Sequence, residues 1–381
     1  MMYKLRNYQQ RAVDAAVNHL QSNSLDNGLV ILPTGSGKSL VIANIALRIN
    51  APVLVLQPSQ EILIQNYNKM HSYNVECSMY SASVNSKVIS RITFATIGSI
   101  MARYLDFFKF RYVIIDECHL VNPKDGMYKR FLTASRCRMI GLTATPYRLQ
   151  TDRVAGSMLN FLTNIRPQMF HKVLDIVQVR ELAEQGFLAP TEYYSCPLID
   201  TRRLTLNIEE YTDTSVKAEY KRTNFNESLV GIIQRLMKVD RKHILVFTRY
   251  VEEAQNAAET LGECAAFISG ATSSKERADT LQGFINGRIR VLLNVGTLTT
   301  GFDFPALDTV VLARPTRSLS LYYQIVGRAI RPYEGKTSWF VDLCGTYDHF
   351  GKVEDLEIRQ DKPLQYAVHN KERKLTNVYL Q

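Results

Sequence analysis

Between residues 28 and 47 a short apolar strand runs into a glycine-bearing loop and leaves it as a helix. No other stretch limits the fold as sharply. The strand is Leu29-Val30-Ile31-Leu32, the loop Pro33-Thr34-Gly35-Ser36-Gly37-Lys38-Ser39, and the helix runs from Leu40 to Leu47. Glycines let backbone N–H groups wrap an anion, and the helix N-terminus adds its positive end. Thr34, Gly35, Ser36 and Gly37 then form a phosphate cradle. Lys38 reaches the β- and γ-phosphates, and the Ser39 hydroxyl ligates Mg²⁺. The general phosphate-loop pattern has glycine where Leu32 stands, so this loop is a variant.

Such a loop needs a parallel sheet behind it, and the chain supplies two stretches that read that way. In the first, apolar strands are predicted at Gly28–Leu32, Pro52–Leu56, Ile92–Ala95, Tyr112–Ile115 and Met139–Leu142. In the second they fall at His243–Phe247, Ala265–Ser269, Ile289–Val295, Thr309–Ala313 and Ser338–Leu343. Helical patterns lie between them; Val13, Ala16, Val17 and Leu20 mark the first at i, i+3, i+4 and i+7. Strands buried on both faces and alternating with helices predict an α/β fold. With 381 residues, the chain divides into 1–150, a polar connector with accessory helices over 151–225, and 226–381 including a charged tail at Lys371-Glu372-Arg373-Lys374.

Composition removes other classes. Hydrophobic residues make up 46% and charged residues 22%, which excludes disorder. Six cysteines are scattered without a Cys-x-x-Cys pair, so no zinc site is expected. The N-terminus has no secretory pattern and no apolar run approaches a membrane span. The expectation is a cytoplasmic protein with no membrane partner. The formal charge of +10 is unevenly spread: residues 1–150 carry a net +9, 151–230 a net −2 and 231–381 a net +3. A phosphate-rich partner would select a basic first half, although plain solubility fits as well.

Two further segments carry chemistry. Tyr112-Val113-Ile114-Ile115 delivers Asp116 and Glu117 to the end of a buried strand. Asp116 is placed to hold Mg²⁺, and Glu117 to act as general base on the attacking water. Cys118 reads as packing. In the second half, a helix over Leu321–Arg331 puts Gln324, Arg328 and Arg331 on one face, at i, i+4 and i+7. A pair of guanidinium groups there suits a phosphoryl group, and one such arginine contributes on the order of 10³–10⁵ in rate.

Lys38, the Asp116-Glu117-Cys118-His119 box and the run Gln324 to Arg331 resemble motifs I, II and VI of superfamily 2 helicases and translocases. The other family motifs follow in order. Leu5-Arg6-Asn7-Tyr8-Gln9-Gln10 resembles the adenine-recognition element, with Gln9 as reader and Tyr8 as stacking partner. Gln57-Pro58-Ser59 and Phe94-Ala95-Thr96 resemble the strand-contacting motifs Ia and Ib. Thr143-Ala144-Thr145-Pro146 resembles motif III, which together with His119 implies coupling of hydrolysis to movement. Val246-Phe247-Thr248-Arg249 resembles motif IV. Gly296-Thr297 through Gly301-Phe302-Asp303 resembles motif V.

The resemblance implies two tandem RecA-like P-loop domains with the ATP site in the interdomain cleft. It implies nucleotide contacts from Tyr8, Gln9, Gly301 and Asp303 besides the loop. It implies nucleic-acid contacts from Pro58, Ser59, Thr96, Thr248, Arg249 and Thr297. Several runs, among them Gly141 to Leu149 and Leu298 to Asp303, are similar to bacterial RadD (YejH) proteins. Type III restriction translocase subunits and phage branch-migration helicases share much of the set. The implied function is an ATP- and Mg²⁺-dependent, DNA-stimulated helicase or translocase of DNA repair or recombination, nucleoid-associated and with protein partners from those processes. RadD-type proteins carry a cysteine-rich zinc module beyond the second core, which this chain lacks before Gln381. RNA as track, a restriction-system translocase subunit and a nucleic-acid-binding scaffold with weak ATPase stay open as alternatives.

Overall fold

The structure, a computed structural model, describes residues 4–152, 156–207, 210–299 and 302–379. Two units emerge. The first comprises Met1–Arg148, Met158–Glu181 and Glu357–Gln381, and the second Leu149–Ser157 and Leu182–Leu356.

The first unit opens with α1 (Asn7–Gln21), whose Val13, Ala16, Val17 and Leu20 are all buried, as their spacing predicts. Then come β1 (Gly28–Ile31), α2 (Lys38–Arg48), β2 (Val53–Gln57), α3 (Gln60–His71), β3 (Ser78–Ser81), β4 (Ser86–Lys87) and β5 (Ile92–Thr96). After α4 (Ile97–Met101) follow β6 (Tyr112–Ile115), α5 (Met127–Ser135) and β7 (Arg138–Thr143). A ribbon of β8 (Tyr147–Asp152) and β9 (Gly156–Phe161), of which Leu149–Ser157 belong to the second unit, precedes β10 (Lys172–Ile176) and α6 (Val179–Glu184), whose last residues also belong to the second unit. The sheet has eight strands in the order β10-β1-β7-β6-β2-β5-β3-β4, parallel except for β4. Its central strands are buried end to end, so they read as continuous apolar runs without alternation.

Register decides what this sheet can do. Ile31 pairs with Thr143, Ile115 with Gly141, Leu56 with Ile115 and Gln57 with Thr96. All the parallel strands therefore end on one edge, and the loops after β1, β2, β5, β6 and β7 converge there. Close packing beneath that edge demands glycine: a Cβ on Gly141 would lie 2.5 Å from Cys118 Sγ and 2.6 Å from a Phe170 ring carbon. Cys118 is thus core, as expected.

In the second unit, β11 (Thr191–Ser195), α7 (Asp213–Arg222) and α8 (Phe225–Lys238) lead to β12 (Ile244–Thr248) and α9 (Val251–Leu261). Then come β13 (Ala265–Ile268), α10 (Ser274–Ile285), β14 (Val291–Asn294), β15 (Thr309–Ala313), α11 (Leu319–Ala329), β16 (Ser338–Asp342) and α12 (Thr346–Phe350). Six parallel strands run in the order β11-β16-β15-β12-β14-β13. Its core gathers Val216, Leu229, Ile233, Val246, Leu293 and Val311.

Residues 151–225, expected as a connector, instead supply an edge strand to each sheet. β10 pairs with β1, and β11 pairs with β16. Both are half-exposed, so they lack the apolar run that marks a central strand. The charged tail is exposed at Lys371, Glu372 and Arg373, and it belongs to a three-stranded sheet of β17 (Leu356–Lys362), β18 (Gln365–Asn370) and β19 (Arg373–Lys374). Lys374 pairs with Asp361 there, at 2.5 Å. Tyr366 stacks on Phe161, and the Asn377 side chain bonds Phe161 N and Tyr366 O, which ties this sheet to the first core. Among the described residues no helix is long and apolar enough to cross a membrane.

Candidate active site

The loop after β1 turns on two glycines in the left-handed region, Gly35 at φ 84° and Gly37 at φ 77°. Gly37 caps α2, and a Cβ there would sit 2.6 Å from Gln9 Nε2, so both conformation and space require glycine. The N–H groups of Lys38 and Ser39 open the helix and have no intrahelical acceptor. From α1, Tyr8 Oη and Gln9 Nε2 both donate to the carbonyl of Ser36, at 2.9 and 2.7 Å. These two bonds hold the loop open from outside.

That geometry changes one expectation. Tyr8 is 1% exposed, with its ring in the core, so it offers no face on which a base could stack. Burial raises its pKa, keeping the hydroxyl a donor. Gln9 Oε1 accepts from Arg6 N at 3.0 Å, so both ends of its amide are engaged with the protein.

Lys38 sits between two carboxylates. Its ammonium pairs with Glu117 Oε1 and lies 3.9 Å from Asp116 Oδ1. Burial opposes the charge, but Glu117 and Asp116 outweigh it and hold the lysine above its ordinary pKa. Burial raises the Asp116 carboxyl, against the pull of Lys38. Asp116 Oδ1 accepts from the N–H of Glu117 and Oδ2 from Asn66 Nδ2, both at 2.9 Å. Glu117 itself has φ +46°, a strained backbone for a side chain of this type. His119 Nδ1 lies 2.9 Å from Thr143 Oγ1 and 3.4 Å from Glu117 Oε2. Burial drives its pKa down to about 4, so the ring is neutral at neutral pH. The N–H of Thr145 returns to Thr143 Oγ1 at 3.0 Å. One chain of contacts therefore joins the ends of β1, β6 and β7.

Asn66 went unnoticed in the sequence. It lies on α3, 2% exposed, in a helix whose pattern gives no reason to single out one polar residue. A buried asparagine on an otherwise apolar helix face was the available signal.

The first unit's expected nucleic-acid residues serve local structure. Ser59 Oγ caps α3 by accepting from Ile62 N, next to Pro58, and Thr96 Oγ1 meets Ser81 and Ser99 hydroxyls. In the second unit, Thr248 is buried at the end of β12. Arg249 pairs with Asp213 and donates to the Tyr211 carbonyl at 2.6 Å. Asn294 Oδ1 accepts from the Thr297 hydroxyl and from the N–H groups of Thr297 and Leu298.

Arg328, expected on one face with Gln324 and Arg331, is buried within the second unit. It is 6% exposed and donates to the carbonyls of Phe302 and Thr299. Arg331 lies just beyond the end of α11, short of the helix expected to reach it, and pairs with Asp303, while Gln324 is half-buried on α11. The expectation for Gly301 falls outside the described residues.

The donor set fits a nucleotide with Mg²⁺. The loop's helix-start N–H groups and Lys38 suit phosphates, while the Ser39 hydroxyl and Asp116 carboxylate are two hard oxygens. Mg²⁺ is commonly held by so few protein ligands together with phosphates and water. Among the described residues no cluster of three or more His, Cys, Asp and Glu could hold another metal.

A phosphate-cradling loop, a paired-acid strand end and an arginine helix on two parallel sheets define the tandem RecA-like helicase architecture. Residues 2–148 match the family described as "Type III restriction enzyme, res subunit", and residues 226–333 match "Helicase conserved C-terminal domain". The two helicase-type domains follow one another along the chain, consistent with superfamily 2 helicases. A 51.5 kDa protein of Lactococcus phage (isolate 7-9) is 28% identical over 81% of this chain and 64% of its own length. The Saccharomyces cerevisiae putative ATP-dependent helicase IRC3 is 25% identical over 91% of this chain and 51% of its own. The chain thus spans about half to two thirds of these relatives. A fragment of a putative HsdR subunit of a type I restriction enzyme from Vibrio vulnificus YJ016 shares the fold. Its TM-score is 0.70 at 22% identity, covering 92% of this chain and 67% of that one.

Proposed function

We propose that this chain is a nucleic-acid-stimulated ATPase that moves along DNA as a helicase or translocase and acts in repair or recombination. The observation that carries the reading is the Lys38–Glu117–Asp116 arrangement at the rim of the phosphate loop. An incoming γ-phosphate replaces Glu117 as the partner of Lys38, which leaves the Glu117 carboxylate to orient and deprotonate water. Ser39 and Asp116 would hold Mg²⁺, which when bound would supply charge neutralisation for the phosphates. Arg328 and Arg331 of the second unit stabilise the transferring phosphoryl group. His119, Thr143 and Thr145 form the hydrogen-bonded route by which a change at Glu117 reaches the end of β7. The Ser59, Thr96 and Thr297 hydroxyls at the strand ends suit contacts to a nucleic-acid backbone, which carry little sequence preference. The name of the yeast relative supports ATP use, and the RadD-type runs favour DNA over RNA.

ATP hydrolysis measured with single-stranded DNA, duplex DNA and RNA tests this directly. DNA should stimulate, RNA should not. Glu117→Gln should bind nucleotide yet lose nearly all turnover, and Arg328→Ala should lose about 10³-fold in rate with little loss of affinity. Full activity in either variant removes that residue from the scheme, and equal stimulation by RNA reassigns the track.

A further inference from the structure

We propose that Lys336 is a positioning residue for the arginines of α11: its ammonium clamps the end of that helix to the 302–307 segment. The proposal rests on the ATPase reading above and adds to it a residue that makes no contact with nucleotide.

The geometry is complete. Lys336 Nζ donates to the carbonyls of Pro305 at 2.8 Å, Leu307 at 3.0 Å and Ala329 at 3.0 Å. An ammonium has three N–H donors, and all three are used. Ala329 ends α11 between Arg328 and Arg331, and its carbonyl also accepts from Ser338 Oγ at 2.6 Å. A cation at a helix C-terminus is favourable in its own right. Pro305 and Leu307 close the segment that carries Phe302 and Asp303.

Three side chains therefore join this segment to α11. Arg328 reaches Phe302 O, Arg331 reaches Asp303, and Lys336 reaches Pro305 O and Leu307 O. The first two are the groups assigned to the phosphoryl oxygens, and an arginine that turns to an anion loosens its hold on the loop. Lys336 is the link that stays. Without it the loop and helix end lose registry when the arginines engage, and a displacement of about 1 Å can cost on the order of 10²-fold in rate.

The clamp also titrates. Burial lowers the Lys336 pKa to about 8; Asp308, just before β15, opposes the shift and Arg331, just beyond α11, adds to it. Raising the pH through that value removes the charge and one donor, so the clamp weakens on the alkaline side.

Three measurements on the full chain test this: ATP hydrolysis with single-stranded DNA, affinity for a fluorescent ATP analogue, and thermal melting. Lys336→Met should cut kcat by about tenfold to a hundredfold, with analogue affinity within about twofold. The wild-type kcat should fall with a midpoint near pH 8. Lys336→Arg should move that limb upward, because a guanidinium stays charged. An unchanged kcat in a folded Lys336→Met protein overturns the clamp. So does a wild-type profile with no alkaline limb, whatever the variants do. If the wild type hydrolyses no ATP, the ATPase reading itself fails, and the clamp is read separately from Trp339. This is the single tryptophan of the chain, and its backbone N–H donates to the Asp308 carbonyl at 2.8 Å. A fluorescence transition near pH 8 that Lys336→Met abolishes supports the clamp, and its absence overturns it.

Discussion

The two units solve the same problem in opposite ways. Each is a parallel sheet that brings charged side chains to the carboxyl edge of its strands. In the first, the buried cation Lys38 is compensated by the carboxylates Glu117 and Asp116. In the second, Arg328 and Lys336 donate to main-chain carbonyls, while Arg331 takes the carboxylate of Asp303 and Arg249 that of Asp213. A carboxylate neutralises a cation, and a phosphate can replace it. A carbonyl orients a cation but leaves its charge intact. Lys38 therefore has partners that a phosphate can replace, whereas Lys336 has carbonyls that orient it without neutralising it.

The largest test removes the exchange. Lys38→Ala leaves the buried Asp116 and the half-buried Glu117 without their cation, and breaking a buried pair costs about 3–5 kcal/mol, here an upper bound. Denaturant unfolding should show that loss, with part of it recovered in Lys38→Ala/Glu117→Gln. If the double variant is as unstable as the single, the carboxylates are not what Lys38 compensates.

Next comes the neutral histidine. His119 is held at about 4, against an ordinary 6.5 in the unfolded chain. Stability from this residue is complete above about pH 6.5 and is lost as the pH falls toward 4, because the unfolded state takes the proton first. The full difference corresponds to about 3 kcal/mol, taken as an upper bound. In His119→Asn that slope should flatten; an unchanged slope assigns the acid loss to other groups.

The smallest effect is at Asn66. Asn66→Ala should raise the Mg²⁺ concentration needed for nucleotide binding by about tenfold, near 1.4 kcal/mol, and leave metal-free binding alone. Equal losses with and without Mg²⁺ would show Asn66 to be packing only.

Much of this was legible in the residues. The ten predicted strands match observed ones within a few residues, because strands buried on both faces form unbroken apolar runs. The phosphate loop was legible because only glycine tolerates its backbone. Edge strands β10 and β11 were not, since half-exposed strands resemble loops in composition. Nor was the burial of Tyr8 and Arg328, as a motif names a residue without saying which way its side chain turns.

The sequence by itself determined the ten predicted strands, their parallel class and the residue types at Lys38, Asp116, Glu117, Arg328 and Arg331. Local propensity and apolar periodicity suffice for those. Tertiary structure alone decided which partner each charge has. Pairing Ile31 with Thr143 and Ile115 with Gly141 puts residues 79 positions apart, Lys38 and Glu117, in one ion pair. The turn after α11 likewise carries Lys336 back to carbonyls up to 31 residues away. Such contacts depend on register across the sheet and on the return path of a loop, and neither is written in any local window of the chain.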